Sequence, residues 1–294
     1  MTQFIGTGVA LITPYNEDLS VDFDALSKLV EYNITNGTEY LVISGTTGES
    51  VTMTSEEKRK IVAFIADINK GRVPLVLGIG GNNTLSVIEE LKTSDLSSID
   101  AILSVSPYYS KPTQEGIYQH FKAISEVCSK PIILYNVPGR TSSNMLPETT
   151  LRLANDFKNI IAVKEAGNNV AQYLQLLRHK PKDFLVLSGD DDLALPVVLA
   201  GGSGVISVIG QALPKEFSQM IRDGLSRKVD KAYKTHFDLM PITSLIFSEN
   251  NPSGVKAVLE ALGISDARVR LPLVEATRGL KEKIAKELKV LGKS

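Results

Sequence analysis

Eight short apolar runs rich in β-branched residues recur along the first two-thirds of the chain, at residues 9–12, 40–43, 75–79, 101–105, 132–135, 160–163, 184–187 and 204–208. Each is continuous rather than alternating, the pattern of strands buried on both faces of a parallel sheet. Helical periods lie between them. Phe23, Leu26, Val30 and Ile34 share one face. Thr54 and Glu57 form a capping box, Thr54 accepting from the third helical N–H while Glu57 reaches back. Ile61, Ile65 and Ile68 form a stripe behind it, and Val170, Leu174 and Leu177 form another. Strand, helix, strand at a spacing of roughly 20 to 35 residues, repeated eight times, means βα units. Eight such units close most naturally into an α/β fold of the (β/α)₈, or TIM, barrel type. An open doubly wound sheet is the alternative, weakened because no nucleotide fingerprint follows the first run.

After about Leu225 the strand signal stops. Helices are predicted over 227–248, 252–262 and 272–291, the second opened by Pro252 and the third by Pro272. The expected organisation is a barrel over 1–225 and a helical C-terminal extension over 226–294. The extension shows no obvious chemistry. It reads as packing, with oligomer contacts as a second use.

Composition narrows the function. Lys and Arg number 32 against 33 Asp and Glu, and no basic run is present. A near-neutral chain of this kind argues against a nucleic-acid binder. No apolar run approaches the roughly 18 to 20 residues of a membrane span. The first six residues have neither a basic nor an apolar stretch of a secretory signal. One cysteine, Cys128, excludes an internal disulfide framework and a multi-cysteine zinc site and suits a reducing cytoplasm.

The chain contains neither G-x-G-x-x-G nor a P-loop. His120, His179 and His236 are scattered on predicted helices and read as surface or satisfied histidines rather than ligands. Asp190-Asp191-Asp192 stands at a strand-to-helix junction, where carboxylates are expected to cap the following helix rather than hold a metal. Gly201-Gly202-Ser203-Gly204 reads as a tight turn. Cys128 falls late in a helix without a partner histidine and is expected to be inert.

Chemistry in such a barrel sits at the C-terminal strand ends. Those ends carry Thr46 and Thr47, Tyr108 and Tyr109, Tyr135 and Arg140, Lys164, and Gly189. Lys164 closes the apolar run 160–163. A desolvated lysine favours its neutral amine, a nucleophile that forms Schiff bases with carbonyls. The alternatives are a lysine snorkelling at a strand end or one paired to Glu165. Tyr135 at the next strand end offers a phenol for proton transfer, with Thr46 and Tyr109 as a relay. Each also has an ordinary reading, Thr46 as a turn residue and the tyrosines as core aromatics with wet tips. Arg140 suits bidentate capture of a carboxylate, or is a surface arginine.

Gly45-Thr46-Thr47-Gly48-Glu49, Pro107-Tyr108-Tyr109, Tyr135-Asn136-Val137-Pro138-Gly139-Arg140-Thr141 and Val163-Lys164-Glu165 together resemble the dihydrodipicolinate synthase / N-acetylneuraminate lyase family of class I aldolases. Leu146-Pro147-Glu148-Thr149, Ser188-Gly189-Asp190-Asp191, residues 114–124 and residues 204–208 match as well, so the resemblance spans nearly the whole chain. It implies that Lys164 condenses with pyruvate and that the enamine attacks L-aspartate-4-semialdehyde. The product would then be 4-hydroxy-tetrahydrodipicolinate, an intermediate of diaminopimelate and lysine biosynthesis. Tyr135 would move the protons, with Thr46 and Tyr109 linking it to solvent. In the family that second tyrosine enters from a neighbouring subunit, which implies a dimer at least and a dimer of dimers as the common form. Thr47 would bind the pyruvate carboxylate, the main chain at Gly189 and Ile206 would line the imine site, and Arg140 would hold the semialdehyde carboxylate. Neither a metal nor an organic cofactor is implied.

Sibling activities are the competing reading. N-acetylneuraminate lyases of the family typically carry Ser-Thr where this chain has Thr46-Thr47 and lack an arginine at the position of Arg140, and sugar-acid aldolases lose that clamp too. A catalytically silent metabolite-binding barrel is the third reading, disfavoured by intact Lys164, Tyr135 and Thr46. In lysine-inhibited members the end product binds at the dimer interface. Ser50, Asn82 and Tyr108 match that site, whereas Ser55 and Ser86 stand where a histidine and a glutamate are common. Weak or absent lysine feedback is therefore expected, unless the neighbouring Glu56 substitutes.

Overall fold

A computed structural model describes residues 2–293. Eight strands follow in chain order: β1 (Gly6–Ala10), β2 (Tyr40–Ile43), β3 (Leu75–Gly78), β4 (Ala101–Val105), β5 (Ile132–Asn136), β6 (Ile160–Glu165), β7 (Leu185–Ser188) and β8 (Gly204–Ser207). Each pairs with the next in parallel, and β1 closes on β8 through Gly6↔Gly204 and Gly8↔Ile206, giving the closed barrel that the repeats predict. The first strand lies further towards the N-terminus than the run 9–12 suggests. Its Gly6 and Gly8 conceal it, because glycine has low strand propensity. Gly8 is required there: a Cβ would stand 2.0 Å from the Tyr40 ring. Tyr40 fills the base of the barrel, edge-on to Phe4 at 5.6 Å, and donates to the Val205 carbonyl at 3.1 Å. Such an aromatic pair contributes roughly 0.5 to 1.5 kcal/mol beyond its buried area.

The helices are α1 (Phe23–Thr35), α2 (Ser55–Asn69), α3 (Thr84–Thr93), α4 (Gln114–Val127), α5 (Pro138–Thr141), α6 (Pro147–Asp156), α7 (Val170–His179), α8 (Ala194–Leu199), α9 (Pro214–Leu225), α10 (Val229–Ser248), α11 (Ser253–Ala261) and α12 (Arg278–Val290). The capping box at Thr54 and Glu57 forms as read, with both reciprocal bonds present, an arrangement worth about 1 kcal/mol. No helix of the described residues is long and apolar enough to cross a membrane.

Three local readings are corrected. On α7 the buried face is Gln172, Tyr173 and Leu176, while Val170 and Leu174 are each 49% exposed. Both stripes fit a 3.6-residue period. Tyr173 wins the inward position because its hydroxyl bonds to the Glu165 carbonyl and to Ser188. The third C-terminal helix begins at Arg278, capped by the Thr277 hydroxyl, and not at Pro272. Glu249 fixes that start by accepting from Thr277 N and Oγ1 at 2.7 and 2.5 Å. Finally, the aspartates do not cap α8, whose N-terminus has no side-chain cap. Asp191 instead accepts from Val208 N and Ile209 N at 3.1 and 3.0 Å, capping the 3₁₀ turn Ile209–Gln211 beyond β8. At the start of α8 the Leu193 and Ala194 amides go instead to the Asp190 and Asp191 carbonyls, at 3.3 Å each. Cys128 is the residue after α4 and is buried, its thiol bonding to Lys130 O at 3.3 Å. Burial pushes that thiol up from its ordinary value, which disfavours the reactive thiolate.

Candidate active site

Parallel pairing sets the centre of the site. The register shifts at the start of β5 and β6, so that Ile132 pairs Ile160 but Ile133 pairs Ala162. From there Tyr135 stands opposite Lys164 and Asn136 opposite Glu165. Side chains alternate along a strand, so Tyr135 and Lys164 share the barrel interior and Asn136 and Glu165 the outer side. Lys164 is 5% exposed, and its Nζ lies 4.4 Å from the centre of the Tyr135 ring. It makes no ion pair among the described residues, and Glu165 does not serve it. The Glu165 carboxylate accepts from Asn136 and from Gln172 at 2.9 and 2.8 Å. This outer network also joins Asn144 to Asn136 at 2.8 Å, and Asn136 Oδ1 accepts from Met145 N at 2.9 Å. It therefore pins β5 to β6 and to the segment following Arg140.

Burial pushes the Glu165 carboxyl up to about 7. Between its unfolded value near 4.5 and 7 the folded protein holds a proton that the unfolded chain releases, so the stability tied to Glu165 falls as pH rises. The thermal midpoint of Glu165→Gln relative to the unmodified protein should accordingly move upward between pH 5 and pH 8. Melts across that range that keep a constant difference would refute the assignment.

The strand ends open into a cavity of about 980 Å³ lined by Thr46, Thr47, Tyr135, Arg140, Lys164 and Gly189, among others. Thr47 is 2% exposed, whereas Thr46 beside it is exposed to the cavity. Gly189 sits directly against the lysine, where a Cβ would lie 2.9 Å from Lys164 Cε. Arg140 is carried by the short α5 and is exposed. Not every predicted residue converges. Tyr109 is 89% exposed, with its backbone in the left-handed region at φ +70°, and is not among the cavity residues. Ile206 is buried within the barrel interior. Neither Tyr135 nor Thr46 makes a side-chain hydrogen bond among the described residues, so no relay is closed within one copy. Ser50 and Tyr108 line the cavity, while Asn82 is exposed outside it. The described residues include no group of three or more His, Cys, Asp or Glu able to hold a metal.

The model of the dihydrodipicolinate synthetase family matches residues 3–291. The chain belongs to that family. A relative from Flavobacterium psychrophilum named 4-hydroxy-tetrahydrodipicolinate synthase is 60% identical over 293 residues, covering 100% of both chains. Among solved structures, the dihydrodipicolinate synthase of Thermotoga maritima is 38% identical with a TM-score of 0.97, covering 99% of this chain and 100% of its own. The Acinetobacter baumannii enzyme complexed with pyruvate is 37% identical with a TM-score of 0.95, covering 99% of both.

Within this member of the dihydrodipicolinate synthetase family, the C-terminal residues reach the site, which the sequence did not suggest. Phe247, Asn250 and Asn251 line the cavity. Lys256, fully buried, pairs with Glu49 at 2.5 Å and donates to Arg268 O at 2.6 Å. Arg270 N donates to the second Glu49 oxygen at 2.9 Å, and the Arg270 side chain forks onto Glu57, whose carboxyl it draws down to about 2. Together these hold the Thr46–Thr47 loop from outside the barrel. One sequence signal existed: Lys256 interrupts the apolar stretch 254–259, as Lys164 ends the run 160–163.

Proposed function

We propose that this protein condenses pyruvate with L-aspartate-4-semialdehyde to 4-hydroxy-tetrahydrodipicolinate, through a Schiff base on Lys164. The observation that carries this is a buried lysine without a carboxylate partner, beside a tyrosine, at the floor of an open cavity. The named relatives support the choice of substrates.

The lysine amine adds to the pyruvate carbonyl and water leaves, giving an iminium ion that serves as the electron sink, so no cofactor is needed. Tyr135 removes a proton from the methyl group, and the resulting enamine carbon attacks the aldehyde. The alkoxide takes a proton, again through Tyr135. The amino group of the product then adds to the imine carbon and expels Lys164, closing the ring. Thr47 holds the pyruvate carboxylate, and the main chain at Gly189 and Ile206 flanks the imine. Thr46 passes protons between Tyr135 and a Tyr109 supplied by a second copy of the chain. The exposure and left-handed backbone of Tyr109 support such a reach, and an assembly of at least two copies follows, with a dimer of dimers as its full form. In this reading residues 1–225 form the catalytic barrel, 226–294 form a helical extension serving it, and the enzyme works in the cytoplasm. Incubation with pyruvate and the semialdehyde tests the reading directly, since absence of condensation product would remove it.

Arg140 sits at the rim, where it can clamp the semialdehyde carboxylate. Arg140→Ala should lower kcat/KM for the semialdehyde about ten- to a hundredfold, the loss of a charge-assisted hydrogen bond worth roughly 1.5 to 3 kcal/mol. Pyruvate adduct formation should change little. Equal losses for both substrates in steady-state kinetics would contradict the clamp.

We also propose that lysine inhibits this enzyme weakly. Ser50, Asn82 and Tyr108 remain as a regulatory site, but Ser55 and Ser86 supply hydroxyls where charged partners would serve lysine. The neighbouring Glu56 is drawn towards Lys60 at 2.8 Å, which weighs against its taking the missing role. The inhibitory concentration should rise by roughly ten- to a hundredfold over a fully equipped site. Half-inhibition at sub-millimolar lysine in an initial-rate titration would overturn this.

A further inference from the structure

Asn251 lies in the connection between α10 and α11, 204 residues along the chain from Thr47, yet its Nδ2 donates to Thr47 Oγ1 at 3.0 Å. Both side chains are buried and both border the cavity that holds Lys164. A threonine hydroxyl has one proton and acceptor lone pairs, whereas an amide NH₂ can only donate. The bond from Asn251 therefore occupies a lone pair and leaves the hydroxyl proton for another partner. With the amide in this orientation, no acceptor for that proton stands among the described residues.

Both ends of the contact are held. Thr13 donates to Gly48 O at 2.8 Å, and Lys256 and Arg270 fix Glu49 immediately beyond. On the other side, Asn251 N donates to Asn250 Oδ1 at 2.9 Å. A Cβ on Gly254 would lie 2.1 Å from Ile246 O, so α11 packs tightly on the end of α10. The second amide atom, Asn251 Oδ1, is buried without a partner. Turning the amide over would satisfy that oxygen with the Thr47 proton. It would also present an oxygen lone pair, rather than a proton, to anything bound at Thr47.

We propose that Asn251 is a positioning residue that fixes the Thr47 hydroxyl as a hydrogen-bond donor to the carboxylate of the 2-oxo acid substrate. The inference rests on the pyruvate reading above. It gives the C-terminal segment a direct part in substrate recognition, acting through Thr47 and not on the reacting atoms. Preorganised donors of this kind matter because the ligand then meets an oriented partner without reorganisation.

The test is steady-state kinetics and pyruvate–borohydride trapping on Asn251→Ala, Asn251→Asp, Thr47→Val and the double variant Thr47→Val/Asn251→Ala. Asn251→Ala should raise the KM for pyruvate about two- to tenfold, the range of a neutral hydrogen bond, and leave the KM for the semialdehyde unchanged. Asn251→Asp has nearly the same shape but must accept the Thr47 proton and adds a like charge. It should lose about ten- to a hundredfold or more in kcat/KM for pyruvate and regain part of this as pH is lowered and the aspartate protonates. The double variant should be no worse than Thr47→Val alone, because Asn251 acts through that hydroxyl. Additive losses in the double variant, or an Asn251→Asp protein with an unmodified pyruvate KM, would overturn the inference. Should Asn251→Ala fail to fold in a thermal melt, the near-isosteric Asn251→Asp carries the test. Trapping on Lys164 in the unmodified protein separates the two levels: its absence removes the catalytic reading, whereas its presence with unaltered pyruvate saturation in the variants removes this inference alone.

Discussion

Replacing Lys164 by alanine should abolish the covalent adduct that borohydride traps from the unmodified protein and pyruvate, and with it most of the catalytic rate. The amine is the bond-forming atom and the electron sink of the proposed reaction, so removing it removes the pathway and not merely a contact. The fold should survive. Lys164 makes no ion pair among the described residues, and the Glu165 network lies on the other side of the sheet. Peptide mapping should place the adduct of the unmodified protein on Lys164. An adduct on another lysine, or an alanine variant that turns over normally, would exclude the mechanism.

The largest effect on stability is expected at the other buried lysine. Lys256→Met leaves the Glu49 carboxylate buried without its cation, a change that costs about 3 to 5 kcal/mol when one partner of a buried pair is removed. The denaturant midpoint should fall accordingly. Neutralising the second partner as well, in Lys256→Met/Glu49→Gln, should restore more than half of the loss, because the penalty belongs to the unpaired charge. Arg270 N still finds an acceptor in the glutamine. A single variant as stable as the unmodified protein would show that the pair contributes nothing. A double variant no better than the single would show that packing, not charge, is what Lys256 supplies.

The two lysines also separate what is legible in sequence from what is not. Eight continuous apolar runs at a regular spacing specify the barrel, since strands buried on both faces leave no other periodicity. Where this reading slipped, at β1, glycines replace side chains because Tyr40 occupies the space beside Gly8 and Glu39 the space beside Gly6. On α7 two stripes fit the same helical period, and only the hydroxyl bonds of Tyr173 decide which turns inward.

Motif and strand-end position alone bring Thr46, Thr47, Tyr135, Arg140, Lys164 and Gly189 to one cavity, because in a parallel barrel all C-terminal strand ends share a face. The sequence by itself thus determined the barrel, the face that carries chemistry and the residue types standing there. What only the tertiary structure decided is which groups are paired. Lys164 ends one apolar stretch and Lys256 interrupts another, and local pattern does not say which of the two is paired. The first faces an open cavity beside Tyr135 while its sequence neighbour Glu165 is claimed by Asn136 and Gln172. The second is matched with Glu49, 207 residues away along the chain. Partners so distant leave no periodicity in the sequence, since contact between them is set by how α10 and α11 dock beside the barrel mouth, and for the same reason Asn251 could not be connected to Thr47 until the chain was folded.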